Sequence, residues 1–172
     1  MDILWTQSQQ QAIKKISDNR ITAMFNTLAV ETQVNDLQPL LGFDFFQNIV
    51  QNPTGEWNKK LLDGGTYTYN DVTYFYSGLI TVLCYFFKAR WIAQSNEFDT
   101  FVGMVEKNLD DSNALQIGAI KNRINSVKKT AFKYWEECKK FIIANSSEFP
   151  YSKLNPLNTN ICSVEKRKAY YL

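Results

Sequence analysis

The chain has 172 residues, 45% of them hydrophobic and 15% aromatic, enough apolar material to bury one sizeable core and too much for a disordered segment. A formal net charge of +2 is too mild for a dedicated nucleic-acid binder. The absence of histidine removes imidazole as general base, metal ligand or phosphoryl carrier, and three widely spaced cysteines draw neither a disulfide framework nor a CxxC site.

MDILWTQSQQQ turns polar immediately after Trp5, which is not the pattern of a secretory signal. Residues 1–22 read as an N-terminal arm carrying Ile3, Leu4 and Trp5, then a short amphipathic piece with Ile13 and Ile16 on one face. Ile21, Met24, Phe25 and Leu28 recur at helical spacing, and Pro39 argues for an end or a kink, with Gly42 as a stop. Phe45, Phe46, Ile49 and Val50 predict a second short helix with Asp44 as its N-cap, and Trp57, Leu61 and Leu62 a third, broken at Gly64-Gly65.

Thr66 to Tyr69 and Val72 to Phe75 alternate around Asn70-Asp71, a pair that accepts the positive φ angles of a two-residue hairpin turn. The register that follows sets Tyr69 against Val72 and Tyr67 against Tyr74 on an aromatic face, and Thr68 against Thr73 on the other. A lone two-stranded ribbon is marginal in water, so its aromatic face belongs either on this chain's helices or on a neighbour. From Ser77, a candidate N-cap, an apolar helix runs to about Gln94 with Leu79, Ile80, Val82, Leu83, Phe86, Phe87 and Ile92 around its circumference, the pattern of a central core helix. Its apolar run falls short of the ~20 residues of a membrane span.

Phe101 to Lys107 alternates as a possible third strand that could join the hairpin. Asp110-Asp111-Ser112-Asn113 reads as the start of a long amphipathic helix over 113–145, with Ile117, Ile120, Ile124, Val127, Ala131, Tyr134, Cys138 and Phe141 as its stripe. Lys121, Arg123, Lys128, Lys129, Lys133, Lys139 and Lys140 outnumber Glu136 and Glu137 on its solvent side. That face is either ordinary solvated surface or a non-specific contact with DNA. Residues 146–172, bracketed by Pro150 and Pro156 and ending in Lys166-Arg167-Lys168 and Tyr170-Tyr171, read as an extended C-terminal arm. The acidic pairs are sequence neighbours whose side chains diverge on a helix, Gly64-Gly65 lacks the companions of a phosphate loop, and Cys84 and Cys138 read as core residues. No catalytic residue, metal site or cofactor is expected.

LQPLLGFDFFQNIV at 37–50, LLDGGTYTYNDVTYFYSGL at 61–79, the aromatic helix ending in KARWI, and FVGMVEKN at 101–108 together resemble a phage head–tail connector, or adaptor, family common in phages of Bacteroidetes, including crAss-like gut phages. The resemblance covers about residues 23–145, and its strength lies in the order and spacing of the four segments. It implies a mainly α fold: a helical bundle of connector type, with a small hairpin at 66–76 and extended termini. It also implies a non-enzymatic virion protein of the neck, assembled in the host bacterial cytoplasm, whose copies form a ring, a dodecamer by the family's pattern. The ring would sit between the portal protein and the tail or a second neck ring, around passing double-stranded DNA and away from any membrane.

Tyr67, Tyr69, Asn70, Asp71, Tyr74, Phe101, Val102, Met104, Tyr170 and Tyr171 are the candidate interface residues. Lys121, Lys128, Lys129 and Lys133 are candidates to face DNA. The rival readings are a small nucleic-acid-binding regulator that uses the lysine-rich helix, and an enzyme with a carboxylate-bound metal.

Overall fold

The computed structural model describes residues 1–16, 21–95, 97–100, 103–106, 117–152 and 154. Its fold is mainly helical. Helix α1 (Gln7–Ile13) is followed by α2 (Ile21–Thr32), a π turn (Gln33–Leu37), α3 (Gln38–Leu41), α4 (Phe43–Gln51) and α5 (Glu56–Asp63). The hairpin β1 (Gly65–Tyr69) and β2 (Val72–Tyr76) leads into α6 (Gly78–Ser95), then β3 (Glu97–Thr100), β4 (Gly103–Glu106) and α7 (Ile117–Ala144). A single 3₁₀ turn, Ser146–Glu148, follows α7.

Helix α6 is the axis of the core, as its circumferential apolar pattern predicts. Leu79, Val82, Leu83, Cys84 and Phe87 are fully buried, and the helix packs on α1, α2, the π turn and α5, and most extensively on α7. Ser77 sits just before it, and the Ser77 hydroxyl donates to Glu137 Oε2 of α7 at 3.2 Å.

Pro39 widens the helix rather than ending it. In an α-helix its ring would meet the carbonyl of Asn35, four residues back. The chain relieves this with a π turn whose i, i+5 bond runs from the Gln38 N–H to the Gln33 carbonyl. Gly42, at φ 88°, closes α3 and opens α4 at once. That double duty corrects the expectation for Asp44, which lies in the first turn of α4 because Gly42 already holds the N-cap position.

The N-terminal segment does not project as an arm. Trp5 packs edge-on against Phe25 at 5.9 Å and Phe87 at 6.0 Å, and two buried glutamines tie the segment down. Gln10 accepts from Trp5 Nε1 and donates to the Cys84 carbonyl at 3.1 Å. Gln33 accepts from the Leu4 N–H at 2.7 Å and donates to the Asp2 carbonyl at 3.0 Å. Buried amides that find partners on both ends avoid the desolvation penalty that makes such residues rare in cores.

Where the sequence suggests one strand over Phe101 to Lys107, two strands form instead. They pair with each other, Glu97 opposite Glu106 and Asp99 opposite Met104, and make a sheet separate from β1–β2. A short local hairpin closes with less loop entropy than a strand added to a distant ribbon. The Asp110 to Asn113 run, Phe101, Val102 and the sequence beyond Leu154, with Tyr170, Tyr171 and Cys162, lie outside the described residues.

Helix α7 has 28 residues and is roughly 42 Å long at 1.5 Å per residue. Its second half is in the core through Ala131, Trp135, Cys138, Phe141 and Ile142. Residues 118–130 are less covered: Ile120, Ile124, Val127, Lys128 and Thr130 are half-buried along one face and the rest are exposed.

Replacing the fully buried Leu83 by Ala is expected to cost about 2–5 kcal/mol. Urea denaturation of wild type and variant measures this directly, and an unchanged midpoint would take α6 out of the core.

Candidate functional site

The hairpin forms in the expected register, with Tyr69 opposite Val72, Tyr67 opposite Tyr74 and Thr68 opposite Thr73. Asn70 and Asp71 adopt φ 49° and 61°, the pair of left-handed residues that matches the twist of the two strands. The base of the ribbon is held by two glycines set back to back. Gly64 and Gly78 have φ 81° and 76°, and a Cβ on Gly64 would stand 2.6 Å from the Ser77 carbonyl carbon. A Cβ on Gly78 would collide with the Gly64 nitrogen and the Leu62 carbonyl oxygen.

The aromatic face divides between its two ends, packed on this chain's helices at the base and open at the tip. Near the base, Tyr76 is buried and stacks on Phe141 of α7 with centroids 4.2 Å apart, and its hydroxyl donates to the Lys60 carbonyl at 2.8 Å. Burial pushes the Tyr76 phenol well above its ordinary range, with Cys138, Asp63 and Tyr67 adding smaller effects. Tyr67 meets Phe141 edge-on at 5.4 Å and stacks on Tyr74 at 5.4 Å. Phe141 also contacts Phe149 and Trp57, so one ring joins the ribbon to α5 and to the segment after α7. Toward the tip the rings are open: Tyr69 is 48% exposed and Tyr74 41%.

Between this open end and the last turns of α7 lies a groove of about 290 Å³ lined by Tyr67, Tyr69, Tyr74, Lys140, Ile143 and Ala144. Ile143 is exposed, as are Val72 and Phe75 on the ribbon. The structure thus brings together three of the expected interface residues, Tyr67, Tyr69 and Tyr74, and adds Lys140 and Ile143. Asn70 and Asp71 form the exposed turn beyond them. Ile143 was detectable in the sequence, because Phe141-Ile142-Ile143 is one apolar residue more than a helical stripe can bury. Phe75 pairs with Thr66 on the hydroxyl side and is the most exposed large apolar side chain of the ribbon. Met104 lies in β4, outside this groove.

Of the lysines expected to face DNA, Lys121, Lys129 and Lys133 are exposed along α7 and Lys128 is half-buried. A second group of cations, which the sequence reading did not single out, gathers where three helices meet. Lys14, just past α1, holds its ammonium 5.0 Å from the centroid of the Tyr85 ring. Lys88 lies one turn farther along α6. Burial lowers the Lys88 pKa, and Arg123 and Lys14 lower it further. Tyr85 packs on Tyr134 of α7 at 5.2 Å.

Among the described residues no group of histidine, cysteine or acidic side chains is placed to hold a metal ion. No helix among them is long and apolar enough to cross a membrane. Residues 37–160 match the family model DUF6712, described as a family of unknown function, and the chain belongs to that family. Neither a curated protein nor a solved structure matches it.

Burial raises the thiols of Cys84 and Cys138 to about 12, from an ordinary value of 9.0. Both should therefore resist iodoacetamide in the folded protein at mildly alkaline pH and react after denaturation, as peptide mass spectrometry would show. Above pH 9 the unfolded chain releases these protons while the folded chain keeps them, so their contribution to stability must fall as pH rises toward 12. A stability flat across that window would contradict the burial.

Proposed function

We propose that this member of DUF6712 is a structural virion protein, a head–tail connector subunit whose copies form a ring between portal and tail around the DNA path. The observation that carries the reading is the ribbon, fixed at its base by the Tyr76–Phe141 stack and open at its tip over the groove beside Ile143. A ribbon held this firmly presents Tyr69, Val72, Tyr74 and Phe75 to a partner without an ordering cost on binding. Large aromatic anchors next to a shallow apolar groove are what protein interfaces concentrate. The resemblance of the four segments at 37–50, 61–79, the α6 end and 101–108 supplies the identity of the assembly.

In the ring, the ribbon tip of one copy contacts a different surface of the next, a heterologous contact that closes when the rotation per subunit divides a full turn. Lys121, Lys129 and Lys133, exposed along α7, with the half-buried Lys128 among them, offer phosphates a sequence-independent attraction that lets DNA pass. The C-terminal residues, Tyr170 and Tyr171 included, add contacts to neighbouring copies.

The exposure of Lys121, Lys129 and Lys133 along α7 also favours a second reading, a small nucleic-acid-binding regulator. The two readings separate by experiment. A regulator binds duplex DNA as an isolated chain with a steep salt dependence, whereas a connector is found at the neck of particles.

Cryo-electron microscopy of the particles that carry this protein should place a ring of it between capsid and tail. Absence from assembled particles overturns the proposal. Changing Tyr69, Tyr74 and Ile143 together to Ser should leave the melting temperature within a few degrees, since exposed positions contribute about 0.5 kcal/mol or less each, while depleting the protein from particles. Normal incorporation of that variant would remove the groove from the interface.

A further inference from the structure

The sheet β1–β2 has two strands among the described residues, so each strand has an open edge. In a two-residue hairpin the residues flanking the turn, here Tyr69 and Val72, exchange backbone hydrogen bonds, and bonded and non-bonded pairs alternate down the ladder from there. Tyr67 and Tyr74 are therefore bonded to each other, while Thr66 and Thr68 on β1 and Thr73 and Phe75 on β2 turn their N–H and C=O groups outward. All four residues are exposed, and among the described residues no backbone group outside the ribbon bonds to them. Natural sheets blunt such edges with lysine, proline or a bulge. Residues 65–76 contain no lysine, arginine or proline, their single charge is Asp71 in the turn, and the register of five pairs runs without a bulge. The β1 edge also has room beside it. It borders a groove of about 410 Å³ that Thr66 and Thr68 line together with Trp57 and Lys60 of α5 and Asn145 just past α7. A Cβ on Gly65, at the start of β1, would meet nothing within 4 Å. An open strand edge beside a helix-lined groove is the arrangement that takes up an extended segment, with main-chain bonds from the strand and side-chain contacts from the groove.

We infer that the β2 edge of one copy adds to the β1 edge of the next, so that the ribbons of successive copies share one antiparallel sheet. The inference rests on the ring reading and names one of its joints. A second copy is the occupant because the molecule carries both halves of the contact. Strands β1 and β2 have five residues each, and each turns two residues outward at alternate positions. Ribbons that point the same way around a ring set β2 of one copy antiparallel to β1 of the next, a heterologous contact that uses up both edges of every copy. Thr73 and Phe75 then exchange hydrogen bonds with Thr68 and Thr66 of the neighbour, the same residues that each faces within its own hairpin. A ribbon marginal by itself becomes part of a wider sheet. The Tyr76–Phe141 stack already holds it in place, so these bonds form without an ordering cost.

Hydrogen exchange read residue by residue, and proline substitution, test the joint in the full-length chain. In the dilute monomer the amides of Thr66, Thr68, Thr73 and Phe75 should exchange freely, and in the assembled protein they should slow by about tenfold or more, whereas those of Tyr67, Tyr69, Val72 and Tyr74 are protected in both. Thr68→Pro removes one outward N–H and leaves the β1–β2 ladder whole. It should raise the concentration for half-assembly, measured by sedimentation velocity, by about tenfold, while Thr68→Val, which keeps the N–H, assembles as wild type does. Thr73→Pro makes the same test from the other edge and takes its place should Thr68→Pro not fold by circular dichroism.

Proline variants that assemble as wild type does overturn the inference and leave the ring reading intact. So do outward amides already slow in the monomer, since the edges are then covered within one chain, and outward amides that slow only when another protein is added, since the edge then takes a strand of that protein. Weakening by Thr68→Val as large as that by proline also overturns it, because the contact then runs through the hydroxyl face. A wild-type chain that stays monomeric at millimolar concentration counts against both the joint and a self-assembling ring.

Discussion

Two glycines facing each other across the mouth of the hairpin govern the rest of the molecule. Gly64 ends α5 and Gly78 begins α6, both with left-handed φ, and their backbones approach too closely for either to carry a side chain. An L residue at either site would meet both the conformational penalty and the clash. Because the two strands leave and return through one point, the ribbon emerges at a fixed angle to α5 and α6. That angle drops Tyr76 onto Phe141 and leaves Tyr69 and Tyr74 hanging over the last turns of α7. The groove is therefore a product of backbone geometry at its base more than of the aromatic residues that line it.

Phe141 is the side chain through which this geometry reaches the core. It touches Tyr67 and Tyr76 on the ribbon, Trp57 on α5 and Phe149 after α7, while Phe149 reaches Phe45 on α4. The cluster replaces what a larger sheet would supply to a two-stranded ribbon, which is a hydrophobic surface against which one face is dry. Elsewhere in the same core the Trp5, Phe25 and Phe87 cluster fastens the N-terminal segment in a similar way.

The hairpin was readable residue by residue because a period of two, a two-residue turn and paired aromatics all specify one register. Helix α6 was readable because nearly every position is apolar, and the second half of α7 because its stripe persists. The sequence was less informative where polar residues do the tying. Gln10, in a glutamine-rich stretch, and Gln33, between Thr32 and Val34, look like surface residues, and only the fold reveals that they bridge backbone groups in the interior. The Thr6 and Gln9 capping box that opens α1 was present as a Thr-x-x-Gln pattern and marks that segment as ordered. Likewise the site gained Lys140 and Ile143, which no ribbon-centred reading contains, because they arrive from a helix 70 residues or so away in sequence. The cations at Lys14, Lys88 and Arg123 are scattered through the chain, and a charge tally along α7 alone does not assemble them.

Helix α7 is unequally invested along its length. From Ala131 onward it is held by the core, while the turns before it have water on most sides. Hydrogen bonds of the exposed turns therefore open at a fraction of the free energy needed to unfold the body. Helix α7 is thus anchored most firmly through its C-terminal half, and its opening starts in the first turns while the buried half stays in place.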